Sequence, residues 1–90
     1  MSRLDDARKI INEEDEIIAK AFEKRMKAVS DIAKYKKENS LPIFDIDREA
    51  EILKNNKKYI SDPQIRNFYV RFQKQLMDLS KEYQETVEPK

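Results

Sequence analysis

The chain has 90 residues, of which 39% are hydrophobic and 41% are charged, and its formal net charge is +1. It contains no glycine, histidine or cysteine, which excludes glycine-rich phosphate loops, zinc sites built on imidazole or thiolate, and nucleophilic catalysis that depends on histidine or cysteine. We therefore expect one all-α domain over residues 1–90 that uses neither a metal nor a cofactor and acts through binding and electrostatics.

The distribution of charge does not indicate a nucleic-acid or membrane partner. Because the net charge is close to zero, we interpret two lysine clusters as solvated faces. They comprise Lys34, Lys36 and Lys37 in the first half of the chain, and Lys54, Lys57 and Lys58 in the second. No apolar run resembles a signal peptide or has the length of a membrane span, so we expect a cytoplasmic protein.

The first predicted helix is long and runs from about residue 3 to residue 39. Ser2 is its expected N-cap, with Asp5 three residues later, and Pro42 prevents its continuation. One stripe of apolar residues recurs at helical spacing, and it comprises Leu4, Ala7, Ile11, Ile18, Phe22, Val29 and Ile32. A helix of this length spans about 54 Å, whereas a compact chain of this size is about 30 Å across. The part of the helix that extends beyond a compact monomer carries apolar residues that need a partner. We therefore predict an intertwined homodimer, with a lone coiled-coil arm as the alternative.

Two cations interrupt the apolar stripe of the first helix. Arg25 lies between Phe22 and Val29, and Lys36 follows Ile32 by four residues. Their separation of 11 residues directs both to the same side of the helix, about 16 Å apart along its axis. They could extend towards solvent from the edge of the stripe. Otherwise, their charges require an anionic group from the protein or from a ligand.

The second predicted helix is short, from about residue 46 to residue 59, and follows a loop at 40–44. Asp45 is first of all an N-cap candidate for this helix. Its predicted inward side comprises Ile46, Ala50, Leu53 and Ile60.

The third predicted helix covers residues 62–86, and we expect the last residues, 87–90, to be frayed. Ser61 and Gln64 have the spacing of a capping box, and Pro63 is tolerated in a first turn. A heptad-like seam predicts its core residues, which are Ile65, Tyr69, Phe72, Leu76, Leu79 and Tyr83. A second row lies at the edge of that core and comprises Gln73, Met77, Ser80 and Gln84.

These patterns predict that several polar residues face the interior or its edge. They are Arg8, Arg25, Lys36, Asp45, Arg48, Glu49, Ser80 and Gln84. Cations outnumber carboxylates in this set, which suits a ligand with about two negative charges and a hydroxyl group, because arginine binds carboxylates through its planar fork.

Each of these residues also has a purely structural interpretation. Glu49 could pair with Lys54 on its own helix, and Arg48 could belong to a structural salt bridge. Ser80 and Gln84, four residues apart, form a pair that is common on exposed helix faces. No single residue is specific, and only the combined order and spacing are informative.

In that order and spacing the chain resembles the all-helical class of chorismate mutases. The resemblance covers nearly the whole chain and rests on Arg8, Asp15, residues 23–26, 32–36, 42–43, 45–49 and 52–53, Ser80 and Gln84. It implies a homodimer of three-helix chains in which the long first helices cross and each active site is completed by the partner.

The resemblance also implies roles for individual residues. Arg8 from the partner subunit and Arg25 would hold the two carboxylates of chorismate. Lys36 and Gln84 would donate hydrogen bonds to its ether oxygen, and these two residues with Arg25 would be the catalytic set.

The remaining predicted site residues would bind or support the substrate. Glu49 would bind the ring hydroxyl group with help from the backbone near Asp45. Arg48 would support the pocket wall, and Ser80 would touch a carboxylate.

The implied reaction is the intramolecular rearrangement of chorismate to prephenate in the biosynthesis of phenylalanine and tyrosine. It needs no nucleophile, metal or proton shuttle, which agrees with the composition. Two alternatives remain open: an isochorismate-pyruvate lyase on the same scaffold, and a non-enzymatic helical dimerisation module. The second does not explain inward cations such as Arg25 and Lys36.

Overall fold

The computed structural model of the protein describes residues 2–87. It contains three α-helices, α1 (Arg3–Glu38), α2 (Ile46–Asn56) and α3 (Arg66–Thr86), and a short 3-10 helix, Lys57–Tyr59, which continues α2. No strand occurs among residues 2–87, so the predicted all-α class is confirmed. Within the same residues, no helix combines the length and the apolar character needed to cross a membrane. Of the residues expected to fray, Val87 is instead buried, at 8% exposed, and its N–H donates to the carbonyl oxygen of Gln84 at 3.3 Å, whereas 88–90 lie outside the described residues.

The long helix α1 determines the elongated shape of the chain. The hydroxyl group of Ser2 accepts a hydrogen bond from the backbone N–H of Asp5 at 3.1 Å, which caps the first turn. Lysines in the last turn complement the helix dipole. The chain measures 56 Å in its longest dimension and has a radius of gyration of 16.4 Å, against about 12 Å for a compact chain of 90 residues.

The turn after α1 uses a serine where glycine is usual. Ser40 has a φ of 56°, in the left-handed region. The N–H of Leu41 donates to the carbonyl oxygen of Lys36 at 2.8 Å, and the N–H of Ser40 donates to that of Lys37 at 3.4 Å. These bonds close the helix and direct the chain into the loop that precedes α2.

Helix α3 begins at Arg66, four residues later than the predicted start. Asp62, and not Ser61, binds the backbone N–H of Gln64: its Oδ1 accepts the hydrogen bond at 2.9 Å. The guanidinium group of Arg66 also reaches back to the carbonyl oxygen of Ile60, at 3.0 Å from Nη2 and 3.2 Å from Nε. The segment therefore forms a turn, stabilised by Asp62, before the helix begins.

Within a single chain, the buried and exposed faces of α3 are the reverse of those predicted. Its buried residues are Gln73, Met77, Ser80 and Gln84, the row that was expected at the edge of the core. Of the predicted core seam, Ile65, Phe72, Leu79 and Tyr83 are exposed, with Phe72 at 49%. The reason is that α1 and α2 lie against the polar row, which leaves the seam without a partner.

Most of the apolar stripe of α1 is also uncovered. Val29 is buried, together with Ala33, whereas Ile11 and Ile18 are more than half exposed. On α2, Ile46 and Ala50 are exposed as well, contrary to their predicted inward positions. The single chain thus encloses only a small core around the C-terminal half of α1.

Candidate active site

A cavity of about 340 Å³ lies between the C-terminal half of α1, the start of α2 and the C-terminal half of α3. Seven of the eight predicted site residues line it, namely Arg25, Lys36, Asp45, Arg48, Glu49, Ser80 and Gln84. Val29, Ile32, Ile52 and Met77 supply apolar surface. Three helices thus bring together residues from positions 25 to 84.

Arg25 enters the cavity from α1 and is half-buried. Its Nη1 donates a hydrogen bond to the hydroxyl oxygen of Ser80 on α3, and that hydroxyl group donates in turn to the carbonyl oxygen of Leu76 at 2.7 Å. Burial lowers the pKa of Arg25, with an opposing effect from Tyr69. None of the ion pairs within residues 2–87 includes Arg25. Its charge is therefore available to an anion.

Lys36 enters the same cavity near the last turn of α1. Its Nζ donates to the carbonyl oxygen of Ile43 at 2.9 Å, which ties the helix to the loop before α2. Lys36 is half-buried and takes part in no ion pair in the described part of the chain. Arg25 and Lys36 thus line the cavity together, as their spacing on α1 predicted they would share one side.

Gln84 brings an amide group to the cavity from α3. The residue is only 7% exposed, and its Oε1 has no hydrogen-bond partner among the residues that the structure describes. A buried polar atom without a partner costs about 1–3 kcal/mol, so such groups in native proteins call for an explanation. Because Oε1 is an acceptor, a ligand group that donates a hydrogen bond, such as a hydroxyl, would satisfy it, and the N–H₂ of the same amide can donate to a ligand.

Asp45 and Arg48 line the cavity but also serve the structure of α2. Asp45 Oδ1 accepts from the backbone N–H of Arg48 at 3.0 Å and caps the helix, as its position predicted. Arg48 Nη1 lies 2.8 Å from Glu51 Oε1 in a largely exposed pair. The structural interpretation of these two residues therefore holds alongside their place in the cavity wall.

Glu49 pairs with a residue that sequence analysis did not single out. Its Oε2 lies 3.0 Å from Nζ of Lys81 on α3, so its partner is not Lys54. The hydrogen bond to Glu49 raises the pKa of Lys81. A periodic signal for Lys81 existed, because it follows Met77 by four residues and precedes Gln84 by three, the spacing of one helix face.

Arg8 does not belong to the cavity of its own chain. It lies on the exposed N-terminal half of α1, 17 residues before Arg25, which corresponds to about 25 Å along the helix axis. No side chain spans that distance. Its predicted part in the site therefore requires a second copy of the chain.

The cavity has a positive excess. Its lining contains the four cations Arg25, Lys36, Arg48 and Lys81, against the two carboxylates Asp45 and Glu49. With two cations that have no ion pair within residues 2–87, the amide of Gln84 and an apolar wall, the site is suited to bind a small dianion and to stabilise negative charge.

Comparison with protein families identifies a match over most of the chain. The family model described as Chorismate mutase type II matches residues 7–85, a segment that includes all eight predicted site residues. Comparisons with curated proteins and with solved structures give no significant match.

Proposed function

Because the chain belongs to the type II chorismate mutase family, we propose that it converts chorismate into prephenate by an intramolecular Claisen rearrangement. The observation that carries this proposal is the convergence of Arg25, Lys36 and the amide of Gln84 on one cavity. The first two have no carboxylate partner within residues 2–87. Membership of the family supports activity of this type, and the roles below are our proposal.

Substrate binding also selects the reactive conformer in this proposal. Chorismate must adopt a compact shape in which the two reacting carbons approach each other. Arg25 binds one carboxylate, with support from the Ser80 hydroxyl group, and Arg8 from a second copy binds the other. Two fixed points of attachment favour the compact shape, which is an orientation effect of the kind that lowers a barrier without a chemical group.

Lys36 and Gln84 stabilise the transition state. As the C–O bond breaks, negative charge develops on the ether oxygen. The ammonium group of Lys36 and the side-chain N–H of Gln84 donate hydrogen bonds to that oxygen. Donors held in place beforehand by a protein act strongly where water is excluded. The hydrogen bond of 2.9 Å from Lys36 to the carbonyl oxygen of Ile43 provides such fixation.

The remaining cavity residues hold the ring of the substrate. Glu49 accepts a hydrogen bond from the ring hydroxyl group, helped by the backbone near Asp45. Arg48 supports the wall formed by α2. These positions give the enzyme a way to recognise the hydroxyl group as well as the two carboxylates of the substrate.

A homodimer completes each site in this proposal. The apolar groove beside the cavity, about 470 Å³ in volume, lies between α1 and α3 and is lined by Ile18, Phe22, Phe72 and Leu79 among others. The stripe of α1 and the seam of α3 are exposed on the same molecule. A second α1 crossing this surface would bury both and deliver its Arg8 to the site.

The decisive experiment is an assay of chorismate consumption, followed through the loss of its diene ultraviolet absorbance, with the product identified as prephenate. Turnover that is lost in Lys36→Ala and in Gln84→Ala supports both the reaction and the site. A folded protein without turnover of chorismate would redirect the proposal to isochorismate, and failure with both substrates would favour a binding module.

A further inference from the structure

We propose that Lys81 is a positioning residue, which orients Glu49 for the substrate hydroxyl group and offsets its charge beside a dianionic substrate. The inference rests on the proposed function, because it assigns a purpose to one contact within the proposed site. Lys81 lines the same cavity as Arg25 and Lys36, but it differs from both in being paired.

The contact between Lys81 and Glu49 leaves one carboxylate oxygen free. Nζ of Lys81 lies 3.0 Å from Oε2 of Glu49, whereas Oε1 accepts no hydrogen bond, and Glu49 forms no ion pair with another residue, within residues 2–87. The two side chains are 29% and 23% exposed, so the pair is more sheltered than the largely exposed pair of Arg48 and Glu51. The arrangement holds the carboxylate by one oxygen and leaves the other for a ligand.

The ammonium group of Lys81 is itself fixed by three parts of the fold. Besides Glu49 on α2, it lies 3.4 Å from Oδ1 of Asp78 on α3. It also lies 4.5 Å from the ring centroid of Phe44 in the loop before α2, within the range of a cation–π interaction. Phe44 is next to Ile43, whose carbonyl oxygen accepts from Lys36. Lys81 thus joins the loop, α2 and α3 at one edge of the cavity.

The ion pair between Lys81 and Glu49 affects the electrostatic energy of binding the substrate. A carboxylate that faces the cavity repels a substrate with two carboxylates, and a like charge in a partly buried site is screened little by salt. Lys81 compensates that charge without occupying the position of Arg25 or Lys36. Its loss should therefore weaken substrate binding, with a smaller effect on the chemical step.

The first test is the variant Lys81→Met, which keeps the length and the apolar stem of the side chain. We expect KM for chorismate to rise about tenfold, the size expected for losing one charge-assisted hydrogen bond, while kcat changes by no more than about threefold. Lys81→Arg should recover most of the loss in KM. Lys74→Met, at an exposed lysine on the same helix, is the matched control and should leave KM unchanged.

The second test distinguishes action through Glu49 from direct contact with the substrate. If Lys81 acts through Glu49, Lys81→Met should change KM by no more than about twofold when Glu49→Gln is already present, because the two effects are coupled. An undiminished tenfold effect in the Glu49→Gln background, or a larger effect on kcat than on KM, would overturn the proposal. Circular dichroism melting curves verify that each variant is folded.

Turnover by the wild-type protein, measured first, tests the proposed function separately. Without turnover, calorimetric titration of chorismate into the same four proteins, namely wild type, the two single variants and the double variant, gives the coupling from Kd. Absence of coupling in that titration contradicts the role of Lys81, whatever the reaction.

Discussion

Arg25 on α1 donates its hydrogen bond to the hydroxyl group of Ser80 on α3, a residue 55 positions later in the chain. The partner of this half-buried cation is thus neutral. Since Ser80 also donates to Leu76, its hydroxyl group keeps a partner if Arg25 is removed. The contact orients the guanidinium group without neutralising it, which is an arrangement suited to receive an anion.

The first prediction separates activity from stability at Arg25. In Arg25→Met, kcat/KM for chorismate should fall about 10²-fold or more through loss of a charged contact to the substrate. The free energy of unfolding, measured with urea, should not decrease, because a half-buried charge without a counterion is replaced by an apolar side chain. Arg71→Met, at an exposed arginine on α3, is the control. A large loss of stability in Arg25→Met would identify Arg25 as a structural residue instead.

The second prediction concerns the two proposed donors to the ether oxygen. Lys36→Ala and Gln84→Ala should each lower kcat by about 10²–10³-fold, the usual effect of removing one such donor. Lys27→Ala, at an exposed lysine on α1, should leave kcat unchanged. Steady-state kinetics on the purified variants provide the comparison. A rise in KM at constant kcat would assign these residues to binding and not to the chemical step.

The third prediction uses pH to test the donor role of Gln84. In Gln84→Glu, the new side chain can donate a hydrogen bond only while its carboxyl group is protonated. Activity of this variant should fall as pH rises, whereas that of the wild type should change little. Rate profiles against pH for both proteins, recorded under saturating chorismate, are the measurement. Superimposable profiles would contradict the role.

The fourth prediction follows from the pKa of Lys81, which its hydrogen bond to Glu49 raises above the ordinary value of 10.5. A base whose pKa is raised by folding stabilises the native state fully below its unfolded pKa, and this contribution is lost as pH rises through the higher native pKa. The stability difference between wild type and Lys81→Met should therefore be constant from neutral pH to about pH 10 and shrink at higher pH. Urea unfolding of both proteins across the alkaline range is the test. A difference that persists unchanged would show that the pair adds nothing to stability through its charge.

The fifth prediction tests whether Arg8 acts in the site of a second copy. Arg8→Ala and Lys36→Ala should each be inactive alone, but a mixed dimer has one site in which both residues are intact. After denaturation and joint refolding in equal amounts, statistical pairing should restore about a quarter of wild-type activity. If the mixture stays inactive while its mass corresponds to a dimer, Arg8 does not complete the partner's site.

Sequence periodicity predicted which side chains share a helix face, and this was sufficient for much of the candidate site. Arg25 and Lys36 were conspicuous because each replaces an apolar residue in a regular stripe, and the structure places both at one cavity. Asp45 was predictable as an N-cap from local chemistry alone. The all-α class followed from the absence of glycine and from the length of the helical patterns.

Periodicity does not determine which element covers a given helix face. Most differences between the predicted and the observed structure have this cause. The seam with Phe72 and Leu79 is the most regular apolar pattern in α3, yet within one chain the row with Met77 and Gln84 is the buried one. At the start of α3, both Ser61 and Asp62 could accept a hydrogen bond from the backbone N–H of Gln64, and Asp62 does so. The hydrogen bonds from Arg66 to Ile60 occur in the same turn. Lys81 was overlooked because a lysine at helical spacing usually lies on a solvated face.

The N-terminal half of α1, with Ile11 and Ile18 more than half exposed, has a consequence beyond shape. If each site needs Arg8 from a second copy, an isolated chain has no complete site. Specific activity would then decline on dilution below the dissociation constant of the dimer, since mass action links assembly to concentration. The quantity of protein made by the cell would itself set the rate per molecule, with no effector required.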